Sequence, residues 1–301
     1  MKKLDLKAFD NTQLGINIWD EVENPKAGIV IVHGMAEHPD RYDDFAKFLN
    51  SKGYVIASCD DRGHRRGAYN GEKGLVNGDS WNQTISDIDT LIDYVKDTYK
   101  VKVALIGHSY GSFLAQCYVE RFSSKIQGCI LSGTAYMKTP ITKIGKFIAN
   151  LLCKVQGASK PGKLIDKMSF GEYNKPFVEQ GQSFAWLSRD KEQVAKYEAD
   201  PECGYVLCNG YYASFLNGVN KLYGKDALTI DKDFPLMIAV GGQDPVSSSS
   251  KMAVKLNGFY EGLGLKPELH IYEGARHEIL NEINNKEVYK DFGDFVDKIF
   301  G

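Results

Sequence analysis

The chain has 301 residues, 43% of them hydrophobic and 25% charged, with a formal net charge of −2. That length holds one large α/β domain or two small ones, and the composition is that of an ordinary globular protein. The charge balance offers no field for nucleic acid, no apolar run approaches the roughly 20 residues that span a bilayer, and the opening MKKLDLKAFD lacks the apolar stretch of a signal peptide.

An alternating pair of segments near 3–9 and 13–20 reads as an antiparallel edge. Short, near-continuous apolar runs follow at 28–33, 54–59, 101–106, 128–132, 236–240 and 269–272, as a parallel sheet covered on both faces requires. Between them lie helical patterns at 40–49, 79–98, 109–121, 247–263 and 281–300. In 79–98, Trp81, Ile85, Ile88, Leu91, Ile92 and Val95 recur three and four apart, which makes one apolar stripe. Strand and helix alternate, so a mostly parallel, doubly wound α/β sheet is expected. The alternation stops at 134–230, which reads as an inserted helical cap, leaving 1–133 and 231–301 as the core. Six cysteines at 59, 117, 129, 153, 203 and 208 form no CxxC pair. They read as unbridged small hydrophobes, which points to the cytoplasm.

Gly107-His108-Ser109-Tyr110-Gly111 joins an apolar strand to a helical pattern. A GxSxG turn there is too tight for side chains at its glycines, and it presents the serine above the sheet as a nucleophile. The base should follow the serine in sequence, which leaves His270 and His277. His270 lies inside an alternating strand, whereas His277 lies in the loop after it, at the sheet edge where open α/β folds build their sites. Asp244, in the turn after the 236–240 strand, is the expected acid; Asp226, Asp231 and Asp233 precede that strand. The backbone N–H groups of Tyr110 and of Met35, in the loop after the 28–33 strand, are the expected oxyanion donors. His33, His38 and His108 read as hydrogen-bonding organisers of the loops.

Together His33-Gly-Met-Ala-Glu-His38 with Arg41-Tyr42, Asp61-Arg-Gly-His64, the serine motif, Gly242-Gln-Asp244-Pro-Val246 and Arg276-His277-Glu278 resemble the α/β-hydrolase group of monoacylglycerol lipases and lysophospholipases. Phe184-Ala-Trp-Leu-Ser-Arg-Asp190, Tyr197 and Asp200-Pro-Glu-Cys-Gly204 are similar to bacterial lysophospholipase-like members. The resemblance implies the α/β-hydrolase fold, a Ser109–Asp244–His277 triad, a mobile cap over an apolar acyl tunnel, and hydrolysis of single-chain lipid esters without metal or organic cofactor. Ser112 stands where the family often has a second glycine, and Arg65-Arg66-Gly67 where it has small residues. The arginines would hold a phosphate or carboxylate, or else face water.

Residues 143–167 carry six lysines against one acid, with Ile144, Phe147, Ile148, Leu151, Leu152 and Val155 at helical spacing. Such a helix either lies on an anionic membrane or packs its apolar face on the core. Tyr205, Tyr211 and Tyr212 would line an apolar pocket or fill the core. A cytoplasmic carboxylic-ester hydrolase (EC 3.1.1 type), peripheral to the membrane on the first of those helix readings, is therefore expected. The alternatives are an esterase of short soluble esters, a proline-type aminopeptidase, and a non-catalytic binding protein on the same fold.

Overall fold

The computed structural model describes all 301 residues. Eight strands form one sheet: β1 (Lys2–Lys7), β2 (Gln13–Trp19), β3 (Ala27–Val32), β4 (Tyr54–Cys59), β5 (Val103–His108), β6 (Cys129–Ser132), β7 (Leu236–Gly241) and β8 (Glu268–Tyr272). Their order is β1-β2-β4-β3-β5-β6-β7-β8. β1 and β2 pair antiparallel, β2 runs antiparallel to β4, and every later pairing is parallel. This is the α/β-hydrolase fold.

The helices outside the insert are α1 (Asp43–Ser51), α2 (Ser80–Tyr99), α3 (Tyr110–Phe122), α8 (Lys251–Gly262) and α9 (Asn285–Phe300). Alternation along each strand sorts the core. Ile29 and Ile31 of β3 and Ile56 of β4 pack under α1 and α9 with Phe45, Leu49 and Phe292. Val30, Val32, Val55 and Ala57 face α2, α3 and α8 with Ile88, Leu114 and Leu256. Burial on both faces is why these strands read as unbroken apolar runs. Asp79 caps α2 by accepting the Asn82 N–H.

Two expected helix starts move furthest. The helix expected from 247 begins at Lys251, because Ser248, Ser249 and Ser250 all take positive φ. The helix expected from 281 begins at Asn285, after a short 3-10 turn over Ile279–Asn281. Between β6 and β7 the chain forms α4 (Pro140–Gln156), α5 (Lys163–Phe170), α6 (Lys191–Ala199) and α7 (Asn209–Val219) and contributes no strand to the sheet. No helix is long and apolar enough to cross a membrane, and all six cysteines are free.

Candidate active site

Ser109 sits between β5 and α3 with φ 52° and ψ −117°. A side-chain-bearing residue there costs on the order of 1–3 kcal/mol, so the surroundings must enforce it. The Ser109 N–H donates to Ser132 O at 2.9 Å, and its carbonyl accepts from Ser112 N at 2.8 Å and Ser112 Oγ at 2.6 Å. Ser112, the departure from the usual second glycine, thus buttresses the turn. The flanking glycines are steric requirements: a Cβ on Gly111 would strike the carbonyls of Val32 and His33, and one on Gly107 would strike that of Gly111.

Asp244 follows β7 and His277 follows β8, so the parallel ladder brings them to one edge. His277 Nδ1 lies 3.0 Å from Asp244 Oδ1, both side chains buried. Burial alone would lower the imidazole's proton affinity; the Asp244 carboxylate outweighs it and holds His277 above its ordinary value. Asp244 Oδ1 also accepts the Val246 N–H at 2.8 Å. Ser109 and His277 share one cavity wall, without a direct hydrogen bond between them.

The loop after β3 is held by its own histidines. His33 Nδ1 donates to Gly34 O at 2.7 Å, and Nε2 accepts the Asp61 N–H at 3.0 Å. His64 Nε2 accepts the Ala36 N–H at 2.9 Å while Nδ1 faces Arg62 O. Burial pushes His64 down to about 3, so it stays neutral and can accept. Ala36 takes φ 54°. The Met35 N–H has no acceptor in the protein, and that of Tyr110 opens α3, where a first turn has no intrahelical partner. Behind this loop Arg41 joins two buried acids. It donates to Glu37 Oε2 at 2.5 Å and, bidentately, to Glu278 at 2.6 Å. Glu37 in turn accepts from Gly34 N at 2.5 Å and Tyr42 Oη at 2.7 Å. Burial opposes ionisation of Glu37, but Arg41 prevails and brings it down to about 2.

The cavity has a volume of about 110 Å3. Met35, Ser109 and His277 form its floor side. The insert supplies Phe170, Phe184, Trp186, Leu187 and Leu207, and the carboxylates on the wall are Glu37, Asp166 and Glu278. No lysine or arginine lines it.

Residues 23–284 match the family model described as serine aminopeptidase, S33. The chain belongs to this family. It is 28% identical to a monoglyceride lipase homolog of Monkeypox virus over 96% of this chain and 95% of that one. It is 25% identical to the monoacylglycerol lipase of Mycolicibacterium smegmatis, over 93% and 91%. A thermostable carboxyl esterase from Bacillus coagulans superposes with a TM-score of 0.89 at 23% identity, covering 100% of this chain and 99% of the other. A monoglyceride lipase from Saccharomyces cerevisiae gives 0.77 at 21%, over 99% and 94%.

The other sequence-derived residues of this family member divide. Tyr205 and Tyr212 line the cavity, Tyr212 donating to Asp166 at 2.8 Å. Tyr211 does not; it packs in the core with its ring 5.2 Å from that of Tyr110. Arg65 and Arg66 lie outside the cavity. Arg66 Nε binds Asp60 at 2.9 Å, and Arg65 pairs with Asp40 at 3.2 Å. Their charge is spent on neighbouring carboxylates, a choice the Arg-Arg pair itself does not encode. His38 binds Asp200 at 2.8 Å, tying the loop to the insert, and His270 stays on β8 near Asp291. The Glu37–Arg41–Glu278 bridge and the Trp186 segment were not anticipated as site elements. Glu37, Arg41, Glu278 and Trp186 lie in the motifs that carry the family resemblance, but no spacing signal joins them.

Proposed function

We propose that the protein is a serine hydrolase that cleaves the carboxylic esters of single-chain lipids, with monoacylglycerol preferred, and that residues 134–230 form its cap. Ser109 Oγ attacks the ester carbonyl carbon as His277 Nε2 takes its proton. Asp244, hydrogen-bonded to Nδ1, fixes the tautomer and stabilises the imidazolium. The tetrahedral oxyanion rests on the N–H groups of Met35 and Tyr110. Collapse breaks the ester C–O bond, His277 protonates the leaving alcohol, and water, deprotonated by His277, releases the acid from the acyl-enzyme. The observation carrying this reading is the convergence on one cavity of a strained, half-buried serine and a histidine already paired with a buried carboxylate.

The cavity wall supports the substrate class. Phe170, Phe184, Trp186, Leu187 and Leu207 suit an acyl chain. Asp166 and the Glu37–Arg41–Glu278 group leave the wall with an excess of carboxylate over cation, so an uncharged glycerol head group meets less repulsion than a phosphate. The relatives named as monoglyceride lipases agree. The insert supports peripheral membrane contact. On α4, Ile148 and Leu152 pack against the core, but Ile141, Ile144, Phe147, Leu151 and Val155 are exposed, as are Leu164 and Met168 on α5. They form an apolar face rimmed by lysines.

Labelling with a fluorophosphonate and hydrolysis of a substrate panel test the reading. Labelling should occur in the wild type and vanish in Ser109→Ala. Monoacylglycerols should exceed lysophosphatidic acid, acetyl esters and prolyl amides in kcat/KM. Absent labelling refutes the mechanism, and a preference for prolyl amides or acetyl esters refutes the substrate.

A further inference from the structure

The segment Ala185–Leu187 of the insert does more than roof the cavity. Its carbonyls accept the N–H groups of the histidine loop: His277 N to Trp186 O at 3.4 Å and Glu278 N to Leu187 O at 2.7 Å. Arg276 Nη1 donates to Ala185 O at 2.5 Å and Ser188 O at 3.0 Å. Arg189 Nε reaches Glu282 at 2.9 Å, and Ser188 Oγ reaches Asn281 O at 2.8 Å. The loop bearing His277 is therefore laced to the insert on both sides of the imidazole.

The side chain at the centre of that lacing is an indole. The Trp186 ring lies 5.1 Å from the His277 ring, tilted by 33°. The His108 ring also lies against it, 5.0 Å away at 44°. Trp186 is itself immobilised, with Phe170 stacked at 6.2 Å and Tyr173 edge-on at 5.2 Å. An imidazole packed against two rings loses rotational freedom, and a cation within about 6 Å of an indole face is stabilised by the ring quadrupole.

We infer that Trp186 is a positioning residue for His277: it holds the imidazole plane and stabilises the imidazolium that forms when His277 takes the Ser109 proton. The inference rests on the triad reading proposed above. The other groups facing His277 are Asp244 after β7, His108 at the end of β5, Glu37 after β3, and the adjacent Glu278, with Arg41 between the two glutamates. His108 is pushed down to about 4, first by burial and then by His277, and so contributes no second charge. Asp244 supplies the main attraction, and Trp186 supplies a face that a leucine cannot.

The experiment is the pH profile of kcat/KM for Trp186→Leu and Trp186→Phe on a short nitrophenyl ester, with fluorophosphonate labelling rates. The backbone lacing survives both substitutions. Losing the aromatic face lowers the proton affinity of His277 by roughly three- to ten-fold, so in Trp186→Leu the acid limb moves to lower pH by about half to one unit. There kcat should fall about ten-fold and labelling should slow in parallel, while Trp186→Phe keeps its limb near the wild-type position. An unmoved limb in Trp186→Leu overturns the inference even if kcat falls, since a wall residue would do that. A limb shifted equally in Trp186→Phe overturns it as well. If the wild type itself is not labelled, the triad reading fails and takes this inference with it.

Discussion

Arg41→Met removes one guanidinium and leaves two buried carboxylates facing each other. The side chains of Arg41, Glu37 and Glu278 are 11%, 4% and 6% exposed. Methionine fills much of the same volume, so the loss is mainly electrostatic. Glu37 retains Gly34 N–H and Tyr42 O–H, and Glu278 retains Asn281 Nδ2 at 3.0 Å. Against its burial, Arg41 is the largest group drawing the Glu37 carboxyl down, and removing one partner of a buried pair costs roughly 3–5 kcal/mol. The sign in pH is fixed. Both glutamates are depressed in the folded wild type, so their contribution is present above the unfolded carboxylate value and lost as pH falls toward about 2. In the variant, burial without Arg41 raises both carboxyls, so destabilisation is greatest near neutrality and shrinks as they take up protons on acidification. Guanidinium denaturation of both proteins at about pH 8, 6 and 4.5 measures this. A deficit below about 1 kcal/mol at the highest pH, or one equal at all three, would refute the argument.

Asp244→Asn, which disturbs the tautomer of His277, should lower kcat by roughly 10^3–10^4-fold with little change in Tm, read by steady-state kinetics. Gly111→Ala places a Cβ against the carbonyls of Val32 and His33 and should cost about 1–3 kcal/mol in denaturation while slowing fluorophosphonate labelling. Phe147→Glu, at a side chain 70% exposed, should weaken co-sedimentation with anionic vesicles about ten-fold or more with Tm unchanged. Retained binding would discount the α4 face.

The legible parts of this chain are those governed by local periodicity. Ile29 and Val30 point to opposite faces, yet both are buried, so a continuous apolar run announces a central parallel strand. Asp244 and His277 are singled out by position and chain order: Asp244 follows the buried apolar strand β7, and His277 follows β8, an edge strand that alternates instead. Where neighbours far along the chain decide, the sequence is silent. Arg41 and Glu278 are 237 residues apart, and nothing local marks Arg41 as paired while Arg65 faces Asp40 instead. Among Tyr205, Tyr211 and Tyr212 only packing tells which rings reach the cavity. The serines 247–250 look like the start of a helix, but Ser247 Oγ accepts the Ser250 N–H at 3.0 Å and stabilises a left-handed run. Trp186 lies in a short 3-10 turn, with no period to announce it.

The insert is not mechanically uniform, and this bears on how a substrate enters. Its stretch from 180 to 204 is bonded to the core at many points. Trp186 and Leu187 hold the His277 loop, Arg189 holds Glu282, Asp200 holds His38, and both Tyr197 Oη and Gly204 N reach Ala36 O at 3.1 and 2.9 Å. Moving that stretch would disturb the imidazole and the Met35 loop together. By contrast, the bonds of α4 and α5 to other segments run to the insert itself: Asn150 to Asn217, Gly162 N to Leu207 O, and Asp166 to Tyr212. Within α4 only Ala149 is fully buried. On the proposed reading, a lipid would be admitted by displacing α4 and the start of α5, which carry the exposed apolar face, while Phe170 at the end of α5 stays stacked on Trp186 and the groups that would perform the chemistry stay in place. On that reading, opening and membrane contact would belong to one half of the insert and alignment of His277 to the other. A disulfide or crosslink pinning α4 to α7 should block long-chain monoacylglycerols while leaving fluorophosphonate labelling by a small probe intact.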